Sequence, residues 1–276
     1  MENAHQTPRV YRRVLTIAGS DSGSGAGIQA DLKTFAALGC YGMSAITALT
    51  AQNTVGVSAI HPVPPDFAAA QIAAVLEDIG ADAVKIGMLY SAELIRVVAE
   101  QLQKFNARNI VLDPVMVAQS GDRLLQDDAV GAIAEYLMPL ADVVTPNTPE
   151  AEVLVGRGIR GIEDMRQAAR DLGRHGSRSV LIKGGHLEHE DSRDLLYLAG
   201  ENRFVELTAE RIRTRNNHGT GCTLSSAIAA HLAMGSGVEE AVRRSKEYIS
   251  HAIRAGAGYT IGRGHGPVHH FFQFWP

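Results

Sequence analysis

Along the chain, short apolar runs rich in β-branched residues alternate with longer stretches whose apolar positions recur every three or four residues. Residues 14–18 form one such run, ended by Gly19. Ile28, Leu32, Phe35 and Leu38 then fall on one helical face, and Gly39 closes that helix. The pattern predicts strands at 43–49, 83–86, 109–112, 142–145 and 179–182. Between them it predicts a helix opened by Pro65 and carrying Phe67, Ile72, Val75, Leu76 and Ile79, another over 91–102, and a third over 163–175. Beyond Lys183 the rhythm changes. Runs at 195–198 and 204–207, split by Gly200, read as a hairpin, followed by helices near 220–234 and 238–255. The alternation predicts an α/β fold with a mostly parallel sheet, helices on both faces and the late hairpin antiparallel at an edge.

The length of 276 residues fits one or two domains of ~150 residues. No repeat, low-complexity tract or linker divides the chain, so 1–276 reads as one domain with a polar N-terminal extension over 1–13. Apolar residues make up 45% and charged residues 20%, which excludes disordered and collagen-like classes. A net charge of −4 and only 5% aromatics argue against nucleic acid and anionic membranes as partners. Cys40 and Cys222, the two cysteines, form no disulfide framework or zinc cluster, which suits a reducing compartment. No apolar run reaches the ~18 residues of a membrane span, so the expectation is a soluble, cytoplasmic protein.

In open α/β sheets, ligands bind beyond the carboxyl ends of the strands. Polar clusters fall there: Gly19-Ser20-Asp21, Asp113-Pro114, Asn147 and Lys183. Residues 19–27 read GSDSGSGAG between a strand and a helix. A dinucleotide site requires an acid about 20 residues further on, and the region near residue 47 has none. The stretch is either a small-molecule loop, in which Asp21 or Asp31 accepts hydrogen bonds, or an ordinary Gly-rich turn.

The sharpest motif is HGTGCT at 218–223, directly before an apolar helix. Gly219 and Gly221 allow backbone N–H groups to converge, and with the helix dipole they make an anion site. No G-x-x-x-x-G-K-[ST] motif is present. Cys222 in the first helical turn is either a thiol whose pKa is lowered there or a small buried hydrophobe. Asn147 and Glu150, in TPNTPE at 145–150, read as a capping box or as groups near a Mg²⁺-bound water. Lys183 reads as a phosphate-binding cation or as part of a strand-ending turn. His186, Glu188, His189, Glu190 and Asp191 have metal-ligand composition but no ligand spacing. The tail carries Phe271, Phe272, Phe274 and Trp275, which are expected to pack back on the domain.

Taken together, these stretches resemble the hydroxymethylpyrimidine/phosphomethylpyrimidine kinases of thiamine biosynthesis, a branch of the ribokinase-like family. The resemblance runs from Val14 to the tail and also includes ITALTAQNT (46–54), KIGML (85–89), LDPVM (112–116), KGGH (183–186) and GHGPVHHF (264–271). It implies a three-layer αβα sandwich, a homodimer, and ATP- and Mg²⁺-dependent phosphorylation of 4-amino-5-hydroxymethyl-2-methylpyrimidine, first at its alcohol and then at the resulting phosphate. It places Gly19, Asp31, Gln52, Met88 and Val115 around the pyrimidine. Asp113 and Glu150 fall near Mg²⁺, Asn147 and Lys183 near the nucleotide phosphates, and Gly219, Thr220, Gly221 and Cys222 form the anion hole, with Cys222 taking the alcohol proton. The sequence departs from the family's usual pattern at residues 22–25 and at Asn217. Some relatives of this branch accept pyridoxal or pyridoxine, which stands as the alternative substrate class.

Overall fold

The structure, a computed structural model, describes residues 10–117, 121, 124, 126, 128–185 and 191–275. In chain order the elements are β1 (Arg13–Asp21), α1 (Gly27–Ala37), β2 (Tyr41–Gln52), β3 (Val57–Pro62), α2 (Pro65–Asp78), β4 (Ala83–Ile86), α3 (Ala92–Lys104), β5 (Ile110–Leu112), α4 (Ala129–Ala132), β6 (Val143–Val144), α5 (Thr148–Val155), α6 (Ile162–Gly173), β7 (Ser179–Lys183), β8 (Asp191–Leu198), β9 (Arg203–Glu210), α7 (Thr220–Ala233) and α8 (Val238–Gly256). The nine strands form one sheet in the order β3-β2-β1-β4-β5-β6-β7-β8-β9. The run from β2 to β7 is parallel, and β3, β8 and β9 pair antiparallel.

Strand alternation sorts the core into two layers. Leu15, Ile17, Val84, Ile86, Ile110 and Leu112 face one way and pack against Ile72, Val98, Leu102 and Met165 from α2, α3 and α6. Val14, Ala83, Val111, Val143, Leu181 and Leu196 face the other way, onto Phe35, Leu224, Ile228 and Val242 from α1, α7 and α8. Both faces of the sheet are thus covered, as a parallel sheet requires, which makes the fold the expected three-layer αβα sandwich. Each aliphatic side chain buried this way contributes about 1.5–3 kcal/mol.

Two features depart from the pattern read in the sequence. The strand β3 is a second antiparallel edge. It has no alternating apolar signal because Ser58, Ala59, His61 and Pro62 are exposed, and Pro62 ends it. A broken helical stretch between Ala129 and Leu140 is also unforeseen, with Gly131 and Pro139 interrupting its periodicity. The aromatic tail packs back only in part. Val268, His269 and His270 are buried and Phe272 packs near Tyr248, but Phe274 and Trp275 stay more than half exposed. Residues 1–9 of the N-terminal extension lie outside the described residues, as do His186, Glu188, His189 and Glu190. Among the described residues no helix is long and apolar enough to cross a membrane.

Candidate active site

The parallel strands deliver their carboxyl ends to one cavity of about 690 Å³. β1 contributes Gly19 and Asp21, β2 contributes Thr50 and Gln52, and the turn after β4 contributes Met88. Asp113 and Val115 follow β5, Asn147 and Glu150 open α5, and Lys183 ends β7. The start of α7 closes the ring with Gly219, Thr220, Gly221 and Cys222.

The anion loop has the backbone that its glycines predict. Gly219 is the N-cap of α7 at φ 78°, a left-handed conformation that a side chain disfavours. A Cβ there would also lie 1.9 Å from the Gly25 carbonyl oxygen, so the first loop and the anion loop touch through bare backbone. Among the described residues, the N–H groups of Gly221 and Cys222 have no intramolecular acceptor and border the cavity. Such orphan donors at a helix start bind anions. Lys183 lies directly opposite, since a Cβ on Gly221 would sit 3.2 Å from its Nζ.

Beneath this loop lies a charged cluster. Lys183 Nζ donates to Asp113 Oδ1 at 2.8 Å and stands 3.9 Å from Glu150 Oε2. The Ser225 hydroxyl, on the first turns of α7, donates to Asp113 Oδ2 at 3.1 Å and ties the helix to β5. Burial pushes the Asp113 carboxyl up, but Lys183 and Lys85 prevail and hold it below its ordinary range. Glu150 goes the other way. Burial, with the Asp113 charge adding to it, outweighs Lys183 and raises it to about 7. Asn147 and Glu150 also form the predicted capping box, with two reciprocal bonds of 2.8 Å. The two residues therefore cap α5 and line the cavity at once.

Two expectations need correction. Asp31 does not reach the cavity. It is fully buried, and its carboxylate accepts from Thr16 Oγ1 at 2.6 Å, Ser226 Oγ at 2.7 Å and Lys85 Nζ at 2.9 Å. Its position on α1, on the stripe of Ile28 and Phe35, turns it toward the sheet and away from solvent. The Cys222 thiol is not lowered by its helix start. Burial pushes it up to about 11; Asp31 and Asp113 add to that, and Lys85 with the Gly27 N–H oppose it.

The sequence reading missed Lys85, a buried cation bordering the cavity, whose visible signal was a charge inside the apolar strand 83–86. It also missed the wall formed by Ser192, Asp194, Lys246, Ile249 and Ile253. There Asp194 accepts from the Gly184 N–H at 3.0 Å and from Lys246 Nζ at 2.6 Å, so it holds the turn that presents Lys183.

The chain that builds this site is similar to known proteins over nearly its whole length. The chain matches the phosphomethylpyrimidine kinase family over residues 21–269. It belongs to that family. It is 54% identical over 262 residues to the hydroxymethylpyrimidine/phosphomethylpyrimidine kinase of Rhizobium meliloti (strain 1021), covering 95% of this chain and 97% of the relative. It is 56% identical over 258 residues to the thiamine biosynthesis bifunctional protein ThiED of Geobacter sulfurreducens, covering 93% of this chain but only about half, 52%, of that protein. Among solved structures, the pyridoxal kinase from Staphylococcus aureus in complex with AMP-PCP and pyridoxal superimposes with a TM-score of 0.86 at 40% identity. That match covers 95% of this chain and 94% of the other.

Within the phosphomethylpyrimidine kinase family match fall all of the cavity's charged residues named above and the whole anion loop, while Gly19 lies just before it. Among the described residues no cluster of three or more His, Cys, Asp or Glu side chains could hold a metal alone. Asp113 and Glu150 are a two-carboxylate set, and burial together with the Asp113 charge raises Glu150 to about 7 despite Lys183 at 3.9 Å. Such a set suits Mg²⁺ that keeps several waters and shares phosphate oxygens.

Proposed function

We propose that the chain is a bifunctional kinase that transfers phosphoryl groups from ATP to 4-amino-5-hydroxymethyl-2-methylpyrimidine and then to its monophosphate. One observation carries this reading. Gln52, Met88 and Val115 open into the same cavity as Lys183 and the N–H groups of Gly221 and Cys222. Gln52 can donate and accept at once, which matches an amino group beside a ring nitrogen. The apolar Met88 and Val115 suit the faces of a flat ring. The wall of Ile249 and Ile253 is left for the nucleoside.

In-line phosphoryl transfer asks the protein for positioning and charge stabilisation more than for covalent chemistry. The N–H groups of Gly221 and Cys222 hold the charge of the moving phosphoryl group, and Lys183 neutralises a phosphate oxygen. Losing one donor of this kind costs on the order of 3 kcal/mol in other enzymes. Asp113 and Glu150 are the residues that would hold Mg²⁺, which would supply further neutralisation of phosphate charge. The Cys222 sulfur accepts the alcohol proton in the first step, in the thiolate form that burial keeps scarce at neutral pH. In the second step the nucleophile is an already ionised phosphate, so the sulfur matters less. The homodimer implied by the family resemblance belongs to the same reading, and light scattering of the purified chain tests it.

Mass spectrometry of the products formed from the pyrimidine alcohol and ATP tests the function. Two successive additions of a phosphoryl group are expected, and zero additions would refute it. Pyridoxal run in parallel tests the second reading, which the 40% identity to a pyridoxal kinase favours as a side reaction.

A further inference from the structure

Asp21 ends β1 and is almost fully buried, yet its carboxylate is saturated with donors. Its Oδ1 accepts from the Gly23 N–H at 2.7 Å, and its Oδ2 accepts from Gly25 and Ala26 N–H at 3.1 and 2.9 Å. The fourth donor is His218 Nε2 at 2.9 Å, on the residue immediately before the anion loop. A Cβ on Gly25 would lie 2.2 Å from His218 Cδ2, so the ring packs against bare backbone there. An ionised carboxylate only accepts, so Nε2 carries a proton in either protonation state of the ring.

This fixes the neighbour on the other side. The Gln52 amide nitrogen is placed 3.4 Å from the same Nε2, and the amide oxygen accepts from Thr50 Oγ1 at 3.0 Å; a half-turn of the amide exchanges the two. Nε2 keeps no lone pair, so an amide nitrogen there sets donor against donor; the half-turned amide instead brings its oxygen to share, at longer range, the one Nε2 proton that Asp21 holds. The half-turn puts the amide nitrogen in the oxygen's place, 3.0 Å from Thr50 Oγ1. That hydroxyl lies 2.9 Å from the Ser20 carbonyl oxygen, which takes its single proton and leaves a lone pair for an amide N–H. Both neighbours therefore select one orientation, with oxygen toward His218 and nitrogen toward Thr50.

We infer that His218, held by Asp21, is a positioning residue that sets the donor–acceptor polarity of Gln52 and thereby selects an aminopyrimidine over its oxo counterpart. The inference rests on the proposed function. In the selected orientation, Gln52 keeps one carbonyl lone pair and one N–H for the ligand. The lone pair meets an exocyclic amino group, and the N–H meets the adjacent ring nitrogen. The 4-oxo analogue presents the reverse, a carbonyl and a ring N–H, and a site left with unpaired polar groups rejects it. A single residue also links the two halves of the reaction, since the His218 backbone leads into Gly219 while its ring governs the pyrimidine side.

The test compares KM for 4-amino-5-hydroxymethyl-2-methylpyrimidine with the inhibition constant of its 4-oxo analogue. The wild type is expected to prefer the amino compound by at least about 100-fold. His218→Phe keeps a ring but loses the donor, so the amide is free to flip. That variant is expected to narrow the preference at least tenfold, mostly by tighter binding of the oxo analogue, with kcat changed less than KM. His218→Gln, which restores an N–H at the same reach, is expected to recover most of the preference. Thr50→Val, an isosteric change, releases the other end of the amide and is expected to narrow the preference too, so it decides the matter if His218→Phe does not fold. An unchanged preference in folded His218→Phe, or in Thr50→Val in its place, overturns the inference alone. A wild type that phosphorylates no pyrimidine overturns the functional reading as well.

Discussion

Lys85 and Asp31 form an ion pair of 2.9 Å with both side chains fully excluded from solvent, one layer behind the anion loop. Asp31 joins β4 to α7 through Lys85 and Ser226, and Ser226 lies one helical turn after Cys222. The pair therefore fixes the height at which α7 begins. Removing one member leaves a buried charge alone, which costs about 3–5 kcal/mol, whereas removing both charges costs far less. Lys85→Met is expected to lower stability by that amount in urea denaturation. The double variant Lys85→Met/Asp31→Asn is expected to recover most of the loss. Additive losses in the double variant would contradict the pairing.

The thiol of Cys222, raised to about 11, is protonated throughout the neutral range. Its alkylation by iodoacetamide, followed by mass spectrometry of the Cys222 peptide, is expected to be slow at pH 7.5 and to accelerate about tenfold per pH unit up to pH 9.5. Phosphorylation of the alcohol is expected to climb with pH over 8–10, while phosphorylation of the monophosphate stays nearly flat. Cys222→Ala is expected to depress the first step much more than the second. Equal losses in both turnover numbers would remove the sulfur from proton transfer and leave only its N–H.

Gly219 is the position where backbone conformation and close approach coincide. Gly219→Ala forces the anion loop away from Gly25 and moves both free N–H groups out of line. A hundredfold or greater fall in kcat is expected, with the Kd for the pyrimidine changed less than threefold by calorimetry. Loss of pyrimidine affinity equal to the loss in kcat would show that the loop shapes the substrate pocket rather than the transferring group.

Much of this site was legible because its residues follow strands whose alternation is plain. Asp113, Asn147 and Lys183 each stand at the end of a buried apolar run, and the glycines of 218–223 announce their turn. Asp31 was misplaced although the sequence held the correcting signal. It shares the helical stripe of Ile28 and Phe35, which faces the core, so its burial follows from periodicity. The Cys222 shift was not legible. The helix-start effect belongs to local sequence, but the opposing carboxylates, Asp31 and Asp113, lie 191 and 109 positions away and meet the sulfur only in the folded chain. The Asp21–His218 contact spans 197 positions and was invisible for the same reason.

The tail supplies a prediction of acid sensitivity. His270 is buried with its Nε2 3.0 Å from Thr223 Oγ1 on α7, and Tyr248 of α8 donates to its carbonyl. Burial, aided by the Lys33 and His269 charges, lowers the imidazole from its ordinary 6.5 to about 3. In the unfolded chain the ring binds a proton below pH 6.5, while in the folded protein it stays neutral down to about pH 3. The unfolded state thus binds more protons in that window, and stability falls as pH drops through it. Between pH 6.5 and 5 the loss from this residue amounts to about 2 kcal/mol. His270→Gln removes the titrating ring and keeps a polar group that can meet the Thr223 hydroxyl. Its urea midpoint is expected to be lower than wild type at pH 7.5 but to fall less steeply between pH 6.5 and 5. Parallel slopes for the two proteins would mean that the ring is already accessible to protons in the native tail.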